Sequence, residues 1–217
     1  MGVTFDFSDD VVLVTGVAGA LGSSIARAFD DAGATVCGAD VVDPDDDDTV
    51  LASTDFLDYY QGDFTAEADV AETVDAIVEN HGRLDALCNI AGTWKGGDPI
   101  HETEVGTFDM LFDVNLKTMF LASKHALPHL QDSEGAIVSV SARSSMEGGE
   151  GDGPYRASKA GVRLLTETIA AENEGTVRAN AVMPSVIDTP ANREMMPDAD
   201  HETWVDPSEI ADVVHFL

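Results

Sequence analysis

The chain has 217 residues, 44% of them hydrophobic, enough for one sizeable core. Its 41 acidic and 11 basic residues leave a formal charge of −30, which excludes a general nucleic-acid or anionic-membrane binder, because neutralising phosphates takes clustered Lys and Arg. The acids run along the whole chain with one block at 45–48. At molar salt a screening length of about 3 Å removes most of their mutual repulsion, so the composition reads as a salt-adapted cytoplasmic protein.

Short apolar runs alternate with longer segments of helical period, the pattern of strand-helix units that build a parallel sheet. Strands are predicted at 11–15, 35–39, 57–60, 84–90, 136–141 and 177–182. Helices are predicted at 20–31, 66–80, 103–130 and 155–173, with Pro128 closing the third. Runs such as VVLVT and AIVSVS are almost continuously apolar, as strands covered on both faces should be. Residues 184–207 hold four prolines and no clear period, which reads as a functional lid, and an amphipathic segment follows at 208–217. The whole is expected to be one doubly wound α/β domain over 1–217, a parallel sheet between two helical layers. Cys37 and Cys88 fall in strand-like runs, the setting of buried free thiols, with neither a disulfide framework nor zinc spacing. His125 and His129 are four apart on the long helix but lack a third ligand, so no metal is expected. Residues 1–10 carry acids and no signal segment, and no apolar run reaches membrane-spanning length.

Three features carry chemistry. Thr15-Gly16-Val17-Ala18-Gly19-Ala20-Leu21-Gly22 joins the first strand to the first helix; glycines there let the backbone turn sharply and approach a pyrophosphate, whose charge the helix N-terminus receives. Asp40 ends the second strand roughly 20 residues further on, where a carboxylate binds the adenosine ribose hydroxyls and repels a 2′-phosphate. With more acids after it and no Arg or Lys between Arg27 and Arg83, NAD is favoured over NADP. Tyr155 and Lys159 are four apart, hence one turn apart on one helix face. An ammonium beside a phenol favours the phenolate and brings it toward general acid-base work.

In this order the motifs make the chain resemble the short-chain dehydrogenases/reductases over essentially its whole length. TGVAGALG matches the family's T-G-x-x-x-[AG]-x-G cofactor turn, and Tyr155-Arg156-Ala157-Ser158-Lys159 its Y-x-x-x-K. Asp63 in GDF resembles its adenine-contacting Asp, and Asn89-Ile90-Ala91-Gly92 its N-N-A-G. Asn115 falls where the family places a structural and catalytic Asn, and Pro184 to Thr189 resembles its P-G-x-x-x-T.

The resemblance implies a Rossmann fold and hydride transfer between NAD and a small carbonyl compound or secondary alcohol. Tyr155 would exchange the substrate proton, Lys159 would lower the tyrosine pKa and hold the nicotinamide ribose, and Asn115 would position a water leading to Lys159. Gly16, Ala18, Ala20, Leu21 and Gly22 would cradle the phosphates, with Asp40, Asp63 and Phe64 around the adenosine. Asn89, Ala91, Gly92 and Pro184 would line the nicotinamide half, and Ile187 and Thr189 would contact the carboxamide. The family's substrate-binding Ser falls on Ala142 here, so a neighbour, Ser141, Ser144 or Ser145, must take over, and Ser141 is the residue chosen. The family's seventh strand is missing from this chain, which implies truncation and would leave strand six as an edge. A homodimer or homotetramer, in a halophilic archaeal cytoplasm, completes the expectation. The alternative is a catalytically weak member that binds the dinucleotide as a sensor. Trp94, His101, His201 and Trp204 fall in loops on the substrate side.

Overall fold

Five consecutive buried residues, Val11–Thr15, form the first strand, β1. Its side chains enter two cores in alternation, Val11 and Leu13 on one face and Val12 and Val14 on the other, which is why the run contains no polar alternation. In the computed structural model, which describes residues 5–44 and 57–217, there follow α1 (Ala20–Asp31), β2 (Thr35–Asp40), β3 (Leu57–Gln61), α2 (Glu67–His81), β4 (Ala86–Asn89), α3 (Val105–Phe112) and α4 (Thr118–Ser133). The chain continues with β5 (Ala136–Val140), α5 (Gly153–Glu172), β6 (Arg178–Val182), α6 (Pro190–Met195) and α7 (Pro207–Phe216). The acidic block at 45–48 lies outside the described residues.

The strands make one six-stranded parallel sheet in the order β3-β2-β1-β4-β5-β6, the doubly wound arrangement expected. Thr15 pairs with Ala39 on one side and Asn89 on the other, and Asn89 with Ser139, so four strands end at one level. Between β1 and β4 the winding reverses, and a doubly wound sheet opens its crevice there. On one face Ile25 and Phe29 of α1 meet Ile210 and Val214 of α7; on the other, Ile77, Leu130 and Ile169 from α2, α4 and α5 cover Leu13, Leu87 and Ile137. Each such aliphatic side chain contributes about 1.5–3 kcal/mol by leaving water. Cys37 and Cys88 are buried free thiols, and burial pushes each up to about 12.

The helix predicted at 103–130 is in fact two helices, α3 and α4, joined by a π-turn at Asp113–Lys117. Pro128 does not close α4, which runs on to Ser133. Pro128 and Lys124 are exposed, so the carbonyl that the proline leaves without a donor faces water and the apolar face is untouched. The helix stops where Glu134 turns left-handed, at φ 55°, ahead of Gly135, on which a Cβ would stand 2.3 Å from the Asp85 carbonyl oxygen. Residues 184–207 contain α6, capped by Thr189, and a 3-10 turn at His201–Thr203. A parallel bridge between Ile187 and Val205 closes that segment at its base. β6 pairs only with β5 and ends the sheet among the described residues.

Candidate active site

A cleft of about 1170 Å³ lies at the C-terminal ends of the strands. At one end the β1–α1 turn forms its floor. Gly16 has φ 70°, and a Cβ on it would stand 2.7 Å from the Ala91 Cα, so the turn can press against the loop after β4 only with glycine there. A Cβ on Gly22 would stand 2.1 Å from the Gly16 carbonyl oxygen, so α1 begins hard against the turn. No side chain caps α1, and its first turn carries no acid, whereas α7 is closed by a capping box of Asp206 and Glu209. The N–H groups and positive end of α1 are thereby left for an anion.

Asp40 accepts the Ala18 N–H at 3.0 Å and the Val41 N–H at 2.8 Å. These bonds fix the carboxylate beside the turn and leave lone pairs for ligand hydroxyls. Asp63 accepts the Thr65 N–H at 2.9 Å and the Thr65 hydroxyl at 2.7 Å, which holds its carboxyl below the usual range. Gly16, Ala20, Leu21, Gly22, Asp40, Asp63 and Phe64 all line the cleft. Ala18 does not, its N–H being tied to Asp40.

At the other end α5 presents Tyr155 and Lys159. Lys159 is 5% exposed and its ammonium donates to the Val140 carbonyl at 2.9 Å; burial pulls it down to about 8. A Cβ on Gly92 would stand 2.9 Å from Lys159 Nζ and 3.0 Å from Asn115 Oδ1, so glycine makes room for both groups. The π-turn carries Asn115 into the interior, a common use of such turns. There its Oδ1 accepts the Thr93 N–H at 2.7 Å and its Nδ2 donates to Ser158 Oγ at 3.1 Å. Asn115 thus ties the loop after β4 to the helix that bears Tyr155. The expected lowering of the tyrosine by Lys159 is not found in this structure: burial pushes the Tyr155 phenol up, Asp152 adds to that, and Arg156 opposes it.

The serine expectation is corrected in its geometry. Ser141 lines the cleft, but its hydroxyl donates to the Lys159 carbonyl at 2.6 Å. A hydroxyl has one proton, and this one is engaged within the fold. Ser145 donates to the Ala142 carbonyl at 2.7 Å and is buried behind the wall. Ser144 is half-buried and lines the cleft beside Ala142.

Ala91, Gly92, Pro184 and Ile187 line the cleft. Asn89 does not: its Nδ2 donates inward to Ser123 and Ser139, each at 3.2 Å. Thr189 accepts the Asn192 N–H and caps α6, while Asn192 itself reaches the cleft and donates to the Ile187 carbonyl at 2.8 Å. Trp94 lines the cleft and His101 does not. His201 contacts the Met196 carbonyl and packs on Trp204, with ring centroids 4.4 Å apart, outside the cleft wall.

Arg156 is the residue that spacing alone missed. Its Nε donates to Asp152 Oδ1 at 2.6 Å, and its Nη1 donates to the carbonyls of Ser144 at 2.8 Å and Glu147 at 3.2 Å. One guanidinium therefore fastens the loop after β5 onto α5. The available signal was an arginine in a chain with only 11 basic residues.

Residues 10–200 match the family described as short chain dehydrogenase. The chain is 36% identical over 206 residues to (+)-borneol dehydrogenase 2 of Salvia officinalis, covering 90% of this chain and 72% of that one. The ligand-free aldohexose dehydrogenase of Thermoplasma acidophilum superposes with a TM-score of 0.86 at 30% identity, over 100% of this chain and 89% of its own. ElxO with NADP bound superposes with a TM-score of 0.88 at 26% identity, over 96% of this chain and 90% of its own. A crevice floored by a glycine turn and closed by a Tyr-Lys helix defines a nicotinamide-dependent oxidoreductase class. The chain belongs to the short-chain dehydrogenase family.

Proposed function

We propose that the protein is an NAD-dependent oxidoreductase acting on a small secondary alcohol or carbonyl compound, with Tyr155 as general acid-base. The observation that carries this reading is the convergence of Tyr155, Lys159 and Asn115 at one end of a cleft whose other end fits a dinucleotide. The glycine cradle is one a Cβ would fill, and the helix end behind it is uncapped. The acids Asp40 and Asp63 stand there with no cation beside them in the lining, since Arg143, Arg156 and Lys159 all belong to the tyrosine end. That distribution supports NAD, because a 2′-phosphate next to Asp40 would meet a carboxylate and no guanidinium.

The bound dinucleotide would supply the two-electron acceptor or donor. Tyr155 gives or takes the proton at the substrate oxygen from a half-buried position, where the raised phenol keeps its proton ready for reduction. Lys159 and Asn115 fix the helix and the neighbouring loop around that phenol.

A second reading, a dinucleotide-binding sensor of weak activity, is favoured by Ala142 and by the engaged hydroxyl of Ser141. The two readings separate in a screen for NADH formation against sugars, polyols, steroids and hydroxy acids at rising KCl. Turnover on one class, greatest toward molar salt, supports the enzyme and its salt adaptation; NAD binding with no turnover across the panel supports the sensor. No helix of the described residues is long and apolar enough to cross a membrane. Exposed Phe108, Phe120 and Leu164 on α3, α4 and α5 support a homodimer or homotetramer.

A further inference from the structure

We infer that Arg143 anchors a carboxylate on the substrate, so that the cleft takes a hydroxy or oxo monocarboxylate in place of a neutral alcohol; this rests on the oxidoreductase reading above. Three of the 11 basic residues, Arg143, Arg156 and Lys159, line the cleft. Lys159 is engaged by the Val140 carbonyl, and Arg156 by Asp152 and the loop carbonyls. Arg143 alone of the three has no side-chain hydrogen bond or ion pair among the described residues. Elsewhere Arg83, Lys117, Lys124, Arg163 and Arg193 each stand within 4.0 Å of a carboxylate, while Lys95 and Arg178, which also lack such a partner among the described residues, lie outside the cleft lining. The loop does not depend on the guanidinium, because the Arg143 main-chain N–H holds it to the Pro184 carbonyl at 3.0 Å. Arg143, exposed in the wall that also bears Tyr155 and without a hydrogen-bond or ion-pair partner for its side chain among the described residues, is available to a ligand anion.

The surroundings decide which anion. Glu147, four residues on, lies in extended backbone beyond the 3-10 turn Arg143–Met146 and does not pair with Arg143. Glu147 and Asp152 also line this end; Asp152 is paired with Arg156, and the charge of Glu147 opposes a second negative charge on the ligand. A single negative charge is accommodated, and a planar guanidinium offers two parallel N–H groups to the two oxygens of a carboxylate. A phosphate dianion is disfavoured, because of the three cations in the wall only Arg143 is not already engaged within the fold. The carboxylate takes no part in the electron transfer: the two-electron exchange stays at the carbinol carbon, and the hydroxyl proton leaves through Tyr155.

Calorimetry on the full chain saturated with NAD⁺ tests this, using 3-oxobutanoate, 4-oxopentanoate and 5-oxohexanoate beside their primary amides, since an oxo compound is not reduced by the oxidised cofactor. At least one acid should bind about tenfold or more tighter than its amide. Arg143→Gln should erase that preference and Arg143→Lys restore part of it, with NAD⁺ affinity the same in all three proteins. Equal binding of acid and amide, a preference untouched by Arg143→Gln, or binding of none of the acids overturns the inference while NAD⁺ binding leaves the oxidoreductase reading standing. Failure of NAD⁺ itself to bind overturns both.

Discussion

The two ends of the cleft are built on opposite plans. The glycine-turn end is formed by main chain pressed against main chain, at Gly16 on Ala91 and Gly22 on Gly16, with two acids as its only charged lining among the described residues. The tyrosine end is formed by side chains from β5, α5, the π-turn and the loop after β5, joined by hydrogen bonds between residues far apart in sequence. The first plan tolerates almost no change of residue because a single Cβ obstructs it. The second tolerates exchange of one donor for another, which is how a member with Ala142 can keep the rest of its machinery.

The comparison can be broken most sharply at the serines. If Ser144 supplies the donor that Ala142 cannot, Ser144→Ala should lower kcat on the substrate found by the screen by about 10² to 10³, the cost of losing one such donor. Ser141→Ala, which removes bonds to the Lys159 carbonyl and the Ser145 hydroxyl within the fold, should act on stability and leave kcat within a few-fold. Equal loss in both variants, or loss in Ser141→Ala alone, would return the role to Ser141.

Lys159 sharpens the same contrast through stability. Its ammonium is held near 8 in the folded protein against 10.5 unfolded, so the unfolded chain binds the extra proton between those values. The folded state therefore carries a penalty below pH 8 that is relieved as pH rises through the window, on the order of 3 kcal/mol at most. Denaturant titrations should show wild type gaining on Lys159→Met from about pH 8 to 10.5. Parallel curves would mean that the ammonium is not desolvated as the structure has it.

At the glycine-turn end the expected effect is smaller. Asp40→Ala removes the carboxylate and its bond to Ala18, and the preference for NAD over NADP should fall by about tenfold, or 1.4 kcal/mol. Unchanged relative affinities would show that Asp40 only braces the turn.

The glycine-turn end was legible in the sequence because its determinants are local: glycine spacing, one strand, one helix start, and an acid at the next strand end. Tyr155 and Lys159 were legible for the same reason, lying one turn apart on one helix. What escaped was non-local. Nothing in the spacing of Ser141 shows that its proton goes to a carbonyl 18 residues later, or that Asn89 turns away toward Ser123. Helical period ran straight through residues 113–117, where the chain widens into a π-turn to bring Asn115 inside. Pro128 read as a stop because sequence does not show which face of the helix meets water.

The central claim, proton exchange by Tyr155 in an NAD-dependent reaction, is tested most directly by measuring NAD⁺ affinity and NADH production on the same preparations of wild type and Tyr155→Phe. Tyr155→Phe should bind NAD⁺ with unchanged affinity and turn over more slowly by about 10² to 10⁴. Turnover retained in Tyr155→Phe would contradict that claim, and the proton would have to pass through another group.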